Sequence, residues 1–306
     1  MATSRKVIAD SKVWGFQDIM SKEINDQKCY PFHMDYLPEI CYQKALEELN
    51  ETPETRVEEL TKLKGLLSAD KFTAGIEFEE DFLQLFLRYR KYNSSQAFQA
   101  VRKFVHFRRN FSSIFQSIPN AYFKENPSTK FISVLPNRCP DGCAVVLVEL
   151  GKWNHNELSI EHIKTMGMFS LLLPLRCPMT QICGFKVIYD FTDTIKHFRY
   201  CTPQNISLIY NAGFNCVPGR YKETHCINES ALQMAVWAVL KHFLSAKIRK
   251  RVFFHSKPED LLNYFPKSII PTQYGGSLEN YHDSELMNKL NEEVDNYPEK
   301  GLPNYF

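Results

Sequence analysis

The chain has 306 residues, with 37 Lys and Arg against 35 Asp and Glu, so its net charge is only +2. That balance excludes a global attraction to nucleic acid, and any anion binding must come from a local patch. A hydrophobic content of 44% and 23 phenylalanines suit a soluble globular protein of one or two domains with a large apolar interior.

The first residues, MATSRKVIADSKVWGFQD, contain no apolar signal core. No stretch reaches ~18 continuous apolar residues, so no membrane-spanning helix is expected. A cytosolic protein follows as the expectation, with its nine cysteines reduced and used as small buried residues.

Residues 1–125 read as a helical N-terminal subdomain. Thr52 before Pro53 is a helix start, and Val57, Leu60, Leu63 and Leu67 recur at helical spacing. Phe82, Leu85, Phe86 and Tyr89 form the stripe of a second helix. Ser94 or Ser95 caps a third, with Phe98, Val101, Phe104 and Val105 on its inner face. The Asn93-Ser94-Ser95 break implies that these last two helices pair antiparallel.

From residue 126 to 283 the pattern becomes α/β, and 284–306 is a tail. Two β-rich runs flank Asp141-Gly142, a hairpin or tight-turn signal. Strands are expected at 184–191, 221–228 and 251–255. Helices are expected at 159–173, at 202–214 with Thr202 as cap and Pro203 in the first turn, at 229–246, and at 258–265. Strands alternating with helices imply parallel crossovers.

The helix SALQMAVWAVLKHFL, from Ser230 to Leu244, is apolar around most of its circumference. Such a helix is either buried or faces lipid, and this one is too short to span a bilayer. Lys241, Lys247, Arg249, Lys250 and Arg251 follow or end it. They suit the helix dipole and would also meet anionic headgroups. Arg220 and Lys222 flank Tyr221 in the loop before the preceding strand, so the two basic groups could converge.

Three stretches resemble a known family: FLQLFLRYRKYNSSQAF, VPGRYKETHCINES and IIPTQYGGS. The second matches at Pro218, His225, Ile227, Asn228 and Glu229, and the third carries a Pro-x-x-Tyr-Gly-Gly ending. The chain resembles the CRAL-TRIO lipid-transfer family over about residues 75–283, in particular the branch of alpha-tocopherol transfer protein and cellular retinaldehyde-binding protein. The resemblance implies a helical N-terminal subdomain and an α/β lipid-binding domain. The apolar helix would then be a mobile gate over a closed cavity, and the Gly275-Gly276 pair would let the chain turn against the domain body.

It also implies that Arg220, Lys222, Lys247 and Arg251 bind a phosphoinositide headgroup. Arg stands for the family Lys at 220 and Lys for Arg at 222, which keeps charge but not fork geometry. A further departure is Asp193, where the family carries glycine after the strand ending at Asp190.

The candidate cavity residues are Val146, Val148, Phe169, Leu172, Leu173, Ile188, Phe191, Ile206, Ile209, Tyr210, Phe214, Leu232, Val236, Leu240 and Phe243. Each alone fits plain core; as a set on strand faces and gate helix they fit a pocket, which is apolar with a few polar groups. Tyr210, Cys183 and Ser170 are the candidate polar contacts.

Catalytic machinery does not assemble. There is no phosphate loop and no Gly-x-Ser-x-Gly nucleophile. Cys139 and Cys143 lack zinc-ligand spacing and nearby histidines, and His225 reads as a hydrogen-bonded structural residue. Asp190 and Glu229, at strand and helix ends, read as caps or salt-bridge partners. The expectation is a monomeric, non-enzymatic cytoplasmic carrier, peripheral on phosphoinositide membranes, with no cofactor, no metal and no nucleic-acid partner. Its cargo is a tocopherol-, retinoid- or carotenoid-like lipid. The rival readings are a phosphoinositide-responsive regulator or adaptor, and a phospholipid-transfer protein.

Overall fold

The computed structural model describes residues 37–119, 122, 127–242, 244–283, 285, 288 and 291; of Phe214, Asn215, Pro127 and Ser128 it describes the backbone alone. The helical part contains α1 (Glu39–Leu49), α2 (Pro53–Ala69), α3 (Glu80–Tyr89) and α4 (Ser94–Asn110). Thr52 caps α2 as expected: its hydroxyl accepts from Thr55 N, and the Thr55 hydroxyl accepts from Thr52 N in return. Leu63 and Leu67 are buried, but Val57 is 69% exposed, so the inner face of α2 starts a turn later than its spacing suggests.

The cap of α4 is Asn93, one residue before the two serines, with its side chain accepting from Gln96 N. Helix α3 is more deeply set than a one-stripe reading allows, being buried continuously from Phe82 to Arg88. Its charge is satisfied inside: Arg88 donates to Glu51 after α1 and to Gln181 Oε1 at 2.6 Å. Since a buried guanidinium without partners is costly, this pairing docks the helices onto the α/β part.

Much of the phenylalanine content belongs to this helical core. Phe78, Phe82, Phe86, Phe104, Phe115, Phe107 and Phe111 form a chain of ring contacts in that order, with touching ring centroids from 4.9 to 6.0 Å apart.

Among the described residues the sheet has five strands in the order β1 (Ile132–Val134), β2 (Ala144–Glu149), β3 (Phe185–Asp190), β4 (Tyr221–Ile227) and β5 (Val252–Phe254). The first pair is an antiparallel hairpin and the rest are parallel. Between them lie α5 (Ile160–Leu172), α6 (Pro178–Cys183), α7 (Pro203–Tyr210), α8 (Ala231–Leu240) and α9 (Ala246–Arg249). Alternation along each strand sends side chains to two faces. Ala144, Val146, Val148, Phe185 and Val187 join the core shared with the helical part. Val145, Leu147, Ile188 and Ile227 join a second core with Leu261, Phe265, Ile269, Ile270 and Tyr274.

That second core explains the Pro-x-x-Tyr-Gly-Gly segment. The chain folds back on itself: Leu278 N donates to Ile270 O at 3.0 Å and Gly276 N to Pro271 O at 3.2 Å. A Cβ on Gly276 would lie 1.7 Å from Ile270 O, so only glycine fits; Gly275 takes φ +84. The turn aims the Tyr274 hydroxyl at Asp190 Oδ2 (2.6 Å) and Glu149 Oε1 (3.0 Å), at the ends of β3 and β2. Asp193 also finds its reason. It sits at φ 54, a left-handed position natural to glycine and tolerated by Asp, beside Gly151, where a Cβ would meet Thr192 O at 2.0 Å.

Candidate functional site

Helix α8 is shorter than its hydrophobic run. It ends at Leu240, and Ser245 starts α9 as a separate turn by accepting from Ile248 N. Although apolar on nearly every side, α8 has no buried residue. Leu232, Met234 and Val239 are exposed, while Val236, Trp237 and Leu240 are half-buried. The helix lies on the first face of the sheet, where Trp237 meets Phe254 of β5 with ring centroids 5.4 Å apart.

Under it one half of the sheet is not fully buried. Strand β2 is buried throughout, whereas Tyr189, Tyr221, Thr224, Val252 and Phe254 keep accessible surface. Two of these tyrosines are nonetheless deep: burial pushes the Tyr189 phenol up to about 12 and the Tyr221 phenol well above its usual value. Phe191 stacks on Tyr189 at 6.0 Å and is itself half-buried. One polar residue lies within α8. Gln233 accepts from Ser230 N at 2.7 Å and donates to the Thr194 hydroxyl, tying the start of the helix to the 3-10 segment Thr194–Tyr200.

The candidate apolar residues divide by place. Val146, Val148, Phe169, Leu172 and Leu173 are fully buried in the first core. Phe191, Ile206, Tyr210, Val236 and Leu240 are half-buried, and Leu232 is exposed on α8. Ile188 does not join them, because its strand position points to the opposite face and the second core. Ile209 is 64% exposed, and α7 buries Leu208 instead. Phe243 and the Phe214 side chain lie outside what is described. Among the candidate polar contacts, Ser170 donates to Gly167 O at 2.8 Å, and Cys183 Sγ sits 3.8 Å from Cys41 Sγ on α1.

Arg220 and Lys222 meet on one carboxylate oxygen of Glu48. Partial burial, then Arg251, Lys91, Arg220 and Lys222, push Lys247 below the usual lysine range. Arg220 is held by the Ile182 carbonyl and Arg251 by the Tyr221 carbonyl. Two members were not foreseen. Lys91 comes from the turn after α3, at φ 54. Glu48 of α1 accepts from Arg220 at 2.5 Å and from Lys222 at 3.2 Å. Burial alone would raise the Glu48 carboxyl, but those two cations outweigh it and hold it at about 2. Neither residue lies near the basic run in sequence, so only the packing of the helical part reveals them.

His225 is a structural residue. Fully buried, it shares a hydrogen bond with His255 at 2.9 Å and contacts Glu223 at 3.2 Å. Cys139 and Cys143 are buried thiols, both pushed up by burial, and Cys143 Sγ donates to Cys183 O. Among the described residues no helix is long and apolar enough to cross a membrane.

Residues 128–276 match the family model for the CRAL/TRIO domain. The chain is similar to the alpha-tocopherol transfer protein-like protein of Homo sapiens, 29% identical over 253 residues that span 81% of this chain and 73% of that protein. It is also similar to Clavesin-1 of Rattus norvegicus, 25% identical over 247 residues, 78% of this chain and 69% of that protein. Over 74% of this chain and 94% of the other, the crystal structure of Sfh5 aligns at 14% identity with a TM-score of 0.47.

Proposed function

We propose that the chain, whose residues 128–276 match the family model for the CRAL/TRIO domain, is a lipid carrier of that family. It takes up one hydrophobic molecule of tocopherol, retinoid or carotenoid type between α8 and the β3–β5 half of the sheet, and moves it between membranes. The observation that carries this reading is an apolar helix with no buried residue lying over a sheet face whose β3–β5 half keeps accessible surface. An ordinary core helix would be packed. A guest lipid would complete the packing, at roughly 25 cal/mol per Å² of apolar surface removed from water. Opening α8 against a bilayer exchanges that burial for burial in the membrane, so release need not oppose the full cost.

The basic cluster would dock the carrier on anionic headgroups, phosphoinositides first, with the protein monomeric and peripheral. No bond chemistry is assigned to it, and the lipid is cargo, not cofactor. Similarity to an alpha-tocopherol transfer protein-like relative supports the isoprenoid class. Mass spectrometry of a lipid extract from purified protein tests the reading, followed by displacement of a fluorescent tocopherol or retinoid analogue. A stoichiometric isoprenoid supports it. Phospholipid alone would make this a phospholipid-transfer protein. No lipid and no displacement, with vesicle binding retained, would make it a phosphoinositide-responsive adaptor.

A further inference from the structure

We propose that Glu48 is a built-in competitor for the basic cluster, an internal anion that a headgroup must displace. The proposal rests on the reading that Arg220, Lys222, Lys247 and Arg251 receive a phosphate group. One carboxylate oxygen of Glu48 takes hydrogen bonds from both Arg220 and Lys222, which are the bonds a phosphate oxygen would take. The guanidinium cannot turn away to meet a newcomer elsewhere, because its other nitrogen is held by the Ile182 carbonyl.

Nor is Glu48 a drifting surface group. Its helix is fixed by Cys41, Ala45 and Leu49 in the core and by Lys44, which donates to Asp141 O at 2.6 Å. The Glu48 side chain itself is 36% exposed, so it can swing out without moving the helix. Lys91, whose charge acts on Lys247, adds a cation from the same helical part. The helices thus supply both a charge that attracts the ligand and a charge that occupies its place.

The consequence is a threshold. A competitor lowers the apparent affinity of every anion by the same factor, the fraction of time the site is empty. A headgroup with one phosphodiester charge exchanges one anion for another and is pushed out of the useful range. A phosphomonoester brings nearly two charges and three acceptor oxygens, and a headgroup with two of them can also reach Lys247, Arg251 and Lys91. The chemistry recognised is therefore a multiply phosphorylated headgroup, lipid-borne or free.

The test is sedimentation of the full chain with phosphatidylcholine vesicles carrying phosphatidylinositol bisphosphate or phosphatidylserine, with soluble inositol trisphosphate as a competitor. Glu48→Gln should tighten binding to both vesicle types by about fivefold, the upper range for a partly exposed ion pair. It should also bring phosphatidylserine vesicles into measurable range. Glu48→Asp keeps the charge but loses reach, and should fall between wild type and Glu48→Gln; it carries the test if Glu48→Gln fails to fold. Tightening towards the soluble trisphosphate as well assigns the ligand as phosphate from any source, and tightening towards vesicles alone assigns it to the lipid surface; both support the competitor. Unchanged or weaker binding by folded Glu48 variants, with Lys247→Ala still weakening it, overturns the competitor and leaves the headgroup site standing. Failure of Lys247→Ala to weaken binding at all overturns the headgroup reading itself.

Discussion

Gln233, the one polar side chain of α8, donates its amide to the hydroxyl of Thr194 and so fastens an otherwise apolar helix at its first turn. If α8 is a gate, this bond is its catch. Gln233→Leu should keep the fold, with a loss of about 0.5–1.5 kcal/mol for one neutral hydrogen bond, and should speed spontaneous lipid exchange between vesicles. An exchange rate equal to wild type would show that opening does not start at this end.

The outer face of the same helix should matter for membranes and not for stability. Val239 is 61% exposed, so Val239→Ser should change stability by about 0.5 kcal/mol or less while slowing vesicle-to-vesicle transfer. Trp237→Ser removes the contact with Phe254 and should lower both. The paired readout is thermal melting and transfer. Loss of transfer only in step with unfolding would make α8 ordinary core.

Among the basic residues, the two ends of the cluster should behave differently. Lys247 is exposed, so Lys247→Ala should weaken binding to phosphoinositide vesicles without altering melting. Arg220 also bonds Ile182 O and Glu48, so Arg220→Ala should weaken both. Wild-type binding should fall with salt, since exposed charges are screened over about 8 Å at physiological ionic strength. Binding indifferent to salt would count against an electrostatic site.

The C-terminal turn offers a stability test. Tyr274 is buried and its one hydroxyl proton is shared between Asp190 at 2.6 Å and Glu149 at 3.0 Å, so Tyr274→Phe should cost about 1.5–3 kcal/mol, the range for hydrogen bonds to charged groups. Gly276→Ala should cost more, because a Cβ 1.7 Å from Ile270 O forces the backbone apart. Chemical denaturation measures both; a neutral Gly276→Ala would mean that the turn yields freely.

Acid should act through His255 before the carboxylates. Burial, and then neighbouring His225, push His255 from 6.5 to about 4, against a small opposing pull from Asp260. Between these values the unfolded chain binds a proton that the folded chain refuses, so stability is lost as pH falls from about 6.5 to about 4. Glu223 follows lower. Burial would raise it, but His225 and Lys186 hold it at about 2, so its stabilisation is present above its ordinary value of 4.5 and lost as pH falls towards 2. His255→Gln should flatten the melting-temperature slope in the upper window alone. An unchanged slope there would assign the effect to other groups.

The sequence made the strands and most helix starts legible because their causes are local: Thr52 with Pro53, Thr202 with Pro203, Asp141-Gly142 in the hairpin. It misplaced Ile188 because a buried parallel strand is apolar on both faces, and alternation then carries no sign of which face is which. It extended the gate helix through 246 because Lys241 and His242 are helix-compatible and nothing in them marks the break at Leu240. The four basic residues were legible by type. Glu48, Lys91 and Gln233 were not, since their roles depend on contacts across more than thirty residues of chain.

The second core has a consequence for the order in which the protein is made. Chains leave the ribosome N-terminus first, so all five strands emerge before residues 258–278, which alone bring Leu261, Phe265, Ile269, Ile270 and Tyr274 to cover Val145, Leu147, Ile188 and Ile227. Through that interval the nascent sheet shows water a bare aliphatic face, and the carboxylates of Glu149 and Asp190 await the hydroxyl that joins them. A translating chain stalled just after Phe254 should therefore be retained by chaperones and cut readily by protease, while one stalled with Leu278 outside the tunnel should resist. If both resist equally, the helical core alone is enough to protect the sheet during synthesis.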